Sequence, residues 1–174
     1  DKLHIQATTD QLTGIFNRRV VFEALDEAME NANEAQDREF ATIMFDIDFF
    51  KHVNDTYGHA GGDAVLISFA QLLRDEITSP NIVGRIGGEE FLAILYLNED
   101  QALEFCKKLI KKINSNLVNF DGTDIKISTS GGVAFSSETS TSADLTNKAD
   151  ERLYEAKKSG RNRFQFINSE LVGD

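Results

Sequence analysis

Glu39-Phe40-Ala41-Thr42-Ile43-Met44-Phe45-Asp46-Ile47-Asp48 alternates with a period of two. Ala41, Ile43, Phe45 and Ile47 share one face of the predicted strand, while Met44, Asp46 and Asp48 share the other, so two carboxylates project together from its end. Upstream, Asp10 to Gly14 reads as a turn, and Asn17 is placed to cap a helix whose apolar residues Val21, Phe22, Leu25, Ala28, Met29 and Ala32 recur at helical spacing. Polar residues 33–38 end that helix. Downstream, a short helical turn and a Gly-rich stretch lead into a helix over residues 61–77, with Val65, Leu66, Phe69, Leu73 and Ile77 inward.

Pro80 then separates this helix from two short strands near 82–86 and 90–97, joined through Gly87-Gly88, which puts Glu89 at a hairpin tip. A helix over 99–115 turns Leu103, Cys106, Ile110 and Ile113 inward. Asp121-Gly122 marks a hairpin into one long strand through Phe135. A last helix, with Leu145, Ala149, Leu153 and Ala156 inward, runs to Ser159 and stops at Gly160, before a final strand over 163–167. Strands interleaved with helices, and at least two hairpins, imply an α+β fold with helices packed on a mostly antiparallel central sheet. No internal repeat or interdomain linker interrupts it.

A chain of 174 residues, 41% hydrophobic and 27% charged, fits one globular domain. The net charge of −11 excludes non-specific attraction to nucleic acid or an anionic membrane face, since both rest on surplus Lys and Arg. The longest apolar run, Phe91 to Leu97, is strand-sized, and nothing resembles a secretory signal. The single Cys106, among Leu103, Leu109 and Ile110, reads as a buried structural thiol and suits a reducing cytosol. A start at Asp1 rather than Met points to a chain cut or processed from a longer protein, with regulatory segments upstream.

The chemistry gathers at Asp46, Ile47 and Asp48 beside Gly87, Gly88, Glu89 and Glu90. A strand ending in carboxylates, next to a hairpin tipped with more, collects hard oxygen ligands for Mg²⁺, which retains waters and bridges substrate phosphates. That is the palm-like arrangement of two-metal nucleotidyl transfer. It also reconciles an acidic protein with an anionic nucleotide, because divalent cations stand between them. Any one acidic pair at a strand end reads equally well as solvated surface, and Lys157 with Arg161, four apart, as ordinary charges at a helix C-terminus. Between strand and hairpin, however, lies Lys51 to Asp63, whose Gly-rich backbone before a helix start lets a ligand approach closely.

Five signatures occur in order: Asp10-Gln11-Leu12-Thr13 with Asn17-Arg18-Arg19; Phe45-Asp46-Ile47-Asp48-Phe49-Phe50-Lys51 with Asn54-Asp55; Gly58-His59-Ala60-Gly61-Gly62-Asp63; Arg85-Ile86-Gly87-Gly88-Glu89-Glu90-Phe91; and Ala149-Asp150 through Leu153-Tyr154, Ala156-Lys157 and Gly160-Arg161-Asn162. On these the chain resembles the GGDEF family of diguanylate cyclases, in a GGEEF spelling, over residues 10–166. The resemblance implies a palm-like nucleotidyl cyclase fold at 10–168, with a lead at 1–9 and a tail at 169–174. It implies condensation of two GTP into cyclic di-GMP and two pyrophosphates across a homodimer, in the cytoplasm, under an upstream sensory domain. Asp46, Glu89 and Glu90 would be the catalytic carboxylates. Mg²⁺, with Mn²⁺ as a substitute, would be held by Asp46, Glu89 and Glu90 and by the carbonyl of Ile47. Phosphates would be held at Phe49, Phe50, Lys51, Lys157 and Arg161, the ribose and α-phosphate would approach at Gly88, and guanine would be read by Asn54 and Asp63.

An ionised carboxylate accepts from both N1–H and the amino group of guanine, a donor pair adenine lacks, so Asp63 favours GTP. A helix N-cap is the plainer reading of Asp63. Asp48 takes a subsidiary place, Asp10, Asn17 and Arg18 read as fixing the first helix, and His52 and His59 read as structural or surface residues. One departure stands out. Many relatives carry Arg-x-x-Asp five residues before the Gly-Gly pair as a product-binding inhibitory site, where this chain has Thr78-Ser79-Pro80-Asn81. Two further readings compete with the active cyclase: a catalytically silent GTP-binding regulatory domain, and another nucleotidyl cyclase or polymerase palm.

Overall fold

The computed structural model describes residues 7–35 and 38–174. Most of the expected lead, residues 1–6, and residues 36–37 of the polar stretch after the first helix lie outside the described residues. The elements are α1 (Arg18–Ala35), β1 (Ala41–Ile47), α2 (Phe50–Glu76), β2 (Ile82–Gly87), β3 (Glu90–Leu95), α3 (Glu99–Ser115), β4 (Leu117–Phe120), β5 (Thr123–Lys126), β6 (Thr129–Phe135), a 3₁₀ turn (Ser136–Glu138), α4 (Ser142–Lys158), β7 (Arg163–Gln165) and β8 (Glu170–Val172).

The main sheet runs β2-β3-β1-β6-β7-β8, with β4-β5 a separate hairpin. Every pair is antiparallel except β6 with β7. β1 is central and buried at all seven positions. Its alternation divides the core: Ala41, Ile43, Phe45 and Ile47 pack with residues of α2 and α3, while Met44 packs with residues of α1 and α4. An isolated strand face could not exclude water on both sides; helices on each face of the sheet do. Phe45 anchors the first core, edge to face against Phe69 at 6.2 Å and Phe164 at 5.8 Å.

Three boundaries differ from expectation. α2 is two helical stretches joined at a kink, Gly58 (φ 76°, ψ 175°): the expected short helical turn is present from Phe50, and the helix beyond it begins just after Gly58 rather than at residue 61. The long strand after Asp121-Gly122 is two strands in different sheets, β5 and β6. The break falls at Ser128, whose carbonyl accepts from the Asp48 amide (2.9 Å) and whose hydroxyl donates to the Asp48 carboxylate (2.6 Å). Finally, β8 pairs with β7 inside the expected tail; at three residues it is too short for periodicity to disclose.

Two contacts place α4, which carries Lys157. A Cβ on Gly132 would lie 1.9 Å from the Ala149 carbonyl oxygen and 2.4 Å from the Leu153 nitrogen, so the bare backbone of β6 lets α4 rest directly on the sheet. Arg152 of α4 donates to both oxygens of Glu138 (2.8 and 2.5 Å) and to the Val133 carbonyl (2.7 Å). Burial opposes ionisation of Glu138, but Arg152 and the Phe135 amide outweigh it and hold the carboxyl below its ordinary value.

Candidate active site

The register of β1 against β3 sets Asp46 directly opposite Glu90. Opposed residues of an antiparallel pair project from the same face with Cβ atoms about 5 Å apart, so two carboxylates confront one another there. Glu89 sits at the tip of the β2-β3 hairpin, its charge raises both carboxyls, and its carbonyl accepts from the Ile47 amide at 3.2 Å. Gly88 makes the tip at φ 45°, a conformation glycine adopts without strain. Asp46 is only 4% exposed, and Lys157 donates to its Oδ2 at 2.7 Å. Burial pushes the Asp46 carboxyl up; Lys157 pulls against this, and Glu89 and Asp48 add to the rise. Glu90 is raised by burial and then by Asp46 and Asp150. Asp150 is itself raised by burial, against Lys157. The corner is thus a knot of mutually repelling carboxylates held by one ammonium.

Beside it stands the start of α2. Phe49, at φ 56°, turns the chain into the helix and supplies no side-chain cap, and uncapped first amides of this kind are groups that can bind an anion. Phe49 is 63% exposed, and the Arg161 guanidinium lies 4.8 Å from its ring centroid. The end of α4 fixes Arg161. The Gly160 amide bonds the Lys157 carbonyl (3.4 Å) and the Arg161 amide bonds the Ala156 carbonyl (3.0 Å), the pairing that closes a helix through a left-handed glycine. Lys51 is exposed in the first turn of α2, while Phe50 packs against the core.

Asn54 and Asp63 flank the kink. A Cβ on Gly62 would stand 1.9 Å from the Asn54 Oδ1, so Asn54 lies against the backbone just before Asp63 only because position 62 has no side chain. Asp63 is exposed and lies within the helix that follows the Gly58 kink, five residues beyond it, so it is not that helix's N-cap. His52 and His59 are both exposed.

The model of the diguanylate cyclase GGDEF domain matches residues 7–163. The chain belongs to that family. It is 35% identical over 170 residues to diguanylate cyclase DgcS of Shewanella oneidensis, covering 98% of this chain and 56% of that protein. Diguanylate cyclase DgcZ of Escherichia coli is 33% identical over 171 residues, covering 98% and 57%. Among solved structures, the GGDEF domain of DgcB from Caulobacter crescentus, in complex with c-di-GMP, superposes with a TM-score of 0.87 at 30% identity, covering 94% of this chain and 97% of that one. Diguanylate cyclase SiaD of Pseudomonas aeruginosa, in complex with its activator SiaC, gives 0.88 at 33% identity, covering 95% and 64%. The chain spans between 21% and 57% of the length of the curated relatives it matches.

The donor set of this GGDEF domain fits a hard divalent cation. Among the described residues, no three His, Cys, Asp or Glu side chains close into a ready-made cage. Mg²⁺ needs none, because it keeps several waters and completes its shell with substrate phosphates. Mutually raised carboxylates, with Asp46 buried among them, are also the groups that gain from a cation set beside them. The side chain of Ile47 is buried, so only its backbone is available.

Two features of the GGDEF domain escaped sequence reasoning. Arg85 donates from Nε to the Gly88 carbonyl (2.8 Å) and from its guanidinium to Asp10 (3.2 and 3.3 Å), tying the hairpin tip to the turn before α1. That turn is closed by Thr13, whose amide (2.9 Å) and hydroxyl (2.6 Å) donate to Asp10. Asp10 therefore serves the hairpin as well as the turn, while Asn17 accepts from the Val20 amide (3.1 Å) as a helix cap and Arg18 donates to the Ile86 carbonyl (3.0 Å). The other is the cluster around Asp48. A pairing 75 residues apart in the chain leaves no local signal.

Replacing Lys157 by Met should leave Asp46 ionised without its partner. A carboxyl whose folded pKa is raised opposes folding only once it ionises, so the cost is absent below about pH 4 and grows as pH rises. Lys157→Met is expected to lower stability by roughly 2 kcal/mol at pH 8 and by clearly less at about pH 5, read by denaturant unfolding. An equal loss at both pH values would contradict the pairing.

Proposed function

We propose that this chain is a catalytic diguanylate cyclase domain, condensing two GTP molecules into cyclic di-GMP. The observation that carries the reading is the register setting Asp46 opposite Glu90, with Glu89 at the tip and an uncapped helix start beside them. Mg²⁺, with Mn²⁺ as a substitute, would be held by the carboxylates of Asp46 and Glu89, by the Ile47 carbonyl and, at a second ion, by Glu90. Bound there, the cation supplies Lewis-acid charge that offsets the triphosphate and the charge developing in transfer.

The amides at Phe49, Phe50 and Lys51, with the side chains of Lys51, Lys157 and Arg161, grip the phosphates. Lys157, already 2.7 Å from Asp46, passes from that carboxylate to the incoming phosphate. Gly88 leaves room for the ribose and α-phosphate. Asn54 and Asp63 read the guanine edge, where a wrong base strands polar groups without partners. Each protomer holds one GTP, and two protomers face each other. The 3′-oxygen of each GTP bonds to the α-phosphorus of the other as the bond to pyrophosphate breaks, which yields one cyclic dinucleotide and two pyrophosphates. Glu89 lies at the tip where the hydroxyl proton departs. Because each domain supplies half of the centre, pairing limits the rate at low concentration. Such a domain works on a cytoplasmic GTP pool, under control of segments beyond these residues. Among the described residues no helix is long and apolar enough to cross a membrane.

The competing reading is a silent GTP-binding regulatory domain. Incubation with GTP and Mg²⁺ at high protein concentration, with products identified by mass, separates the two. Cyclic di-GMP is expected, at a rate rising more than linearly with enzyme, and Glu89→Gln is expected to abolish it. GTP binding without product would favour the silent domain, and unaltered synthesis by Glu89→Gln would remove Glu89 from its role.

Residues 78–81 give this chain no inhibitory grip on its product. The Asn81 Oδ1 already accepts from the Tyr96 amide at 2.7 Å, and no arginine stands at 78. Saturating cyclic di-GMP should leave the initial rate nearly unchanged. Strong inhibition relieved by substitutions at 78–81 would refute this.

A further inference from the structure

Asp48 is the buried carboxylate that the reaction leaves without a task. It is 4% exposed, one residue beyond β1, and by alternation shares the face of Asp46. Both its oxygens are nonetheless engaged. Oδ1 accepts from the Ser130 hydroxyl (2.6 Å), and Oδ2 accepts from the Ser128 hydroxyl (2.6 Å) and the Asn162 amide (2.9 Å). A carboxylate taking three donors is a structural acceptor rather than an open cation ligand.

The third donor is the informative one. Asn162 follows Arg161, and both are left-handed, at φ 50° and 64°. Such a conformation costs an ordinary residue roughly 1 kcal/mol or more, so two in succession persist only where the surroundings hold them. Arg161 is held from one side by the Ala156 carbonyl, and Asn162 from the other by Asp48. The Asn162 side chain is tied as well: its Oδ1 accepts from Asn114 at 2.9 Å. Phe49, the ring on which Arg161 rests at 4.8 Å, is the residue after Asp48. Asp48 thus joins, within one residue on each side, the two members of the stacked pair at the mouth of the phosphate site.

We propose that Asp48 is a positioning residue: it clamps the 160–162 turn to the end of β1 and thereby aims Arg161, stacked on Phe49, at the nucleotide phosphates. The proposal rests on the reading of this site as a GTP site, and its test has one arm that does not. Asp48→Asn keeps the shape but replaces one acceptor oxygen by a donor nitrogen. In the nucleotide-free chain, hydrogen exchange should show the amides at 160–163 losing protection in Asp48→Asn and keeping it in Arg161→Ala. Unchanged exchange in Asp48→Asn would overturn the clamp.

The second arm measures affinity for a non-hydrolysable GTP analogue with Mg²⁺ by calorimetry. Asp48→Asn and Arg161→Ala should each weaken binding about tenfold, and the double variant should be no weaker than Arg161→Ala, because Asp48 acts through that arginine. Additive losses would overturn the proposal in favour of a direct role for Asp48 at the cation. An analogue that fails to bind the unaltered chain would overturn it together with the GTP reading, whereas unchanged exchange with intact binding removes the clamp alone. Should Asp48→Asn not fold, Ser130→Ala, which removes one donor to Asp48, carries the same two readings with smaller changes, about threefold in affinity.

Discussion

Like charges set opposite each other across an antiparallel pair repel, and this fold places Asp46 against Glu90 at the end of the β1-β3 pair. Solvent relieves the repulsion only on one side, since Glu90 is exposed while Asp46 is buried, and both carboxyls are raised. Something positive must therefore stand in the corner. In this structure it is Lys157, brought there by α4. In the proposed reaction divalent ions take the same post, and the ammonium turns to the phosphates. On that proposal, competition between Lys157 and exchangeable cations would make an acidic protein, at −11, receptive to a polyanion.

Much of the architecture serves to hold that corner in register. β6 gives up a side chain at Gly132 so that α4 rests on the sheet, and Arg152 with Glu138 keeps it from sliding. Arg85 ties the hairpin tip to the Asp10 turn, and Asp48 ties the end of α4 to the end of β1. The groups that would touch nucleotide thus come from four places: the β1-α2 turn, the α2 kink between Asn54 and Asp63, the β2-β3 tip and the C-terminus of α4. Polar cross-links rather than apolar packing join them, as suits a surface that must stay open to ligand.

How far the sequence discloses this follows from the range of each interaction. The alternation in β1, the helical spacing of α1, α3 and α4, and the Gly87-Gly88 turn are local, and they appear in the structure as read. The carboxylates were legible because they sit at strand ends, and the quoted motifs led to the same family that the comparison found. The helical geometry just after Gly58 was not legible, since glycines at 58, 61 and 62 read together as a break where only Gly58 leaves the helix and the other two serve close packing around Tyr57 and Asn54. Nor could Asp48 be assigned: its donors come from residues 128, 130 and 162, contacts that exist only after the sheet has formed. β8 is three residues long, and its pairing is set by the edge of β7 rather than by its own pattern.

The most direct measurement is the anomalous scattering of Mn²⁺ in crystals grown with a non-hydrolysable GTP analogue. A peak between the Asp46 and Glu89 carboxylates, with the Lys157 ammonium moved from Asp46 onto the phosphates, is what the account predicts. Bound nucleotide with no peak in that corner and Lys157 still on Asp46 would contradict it.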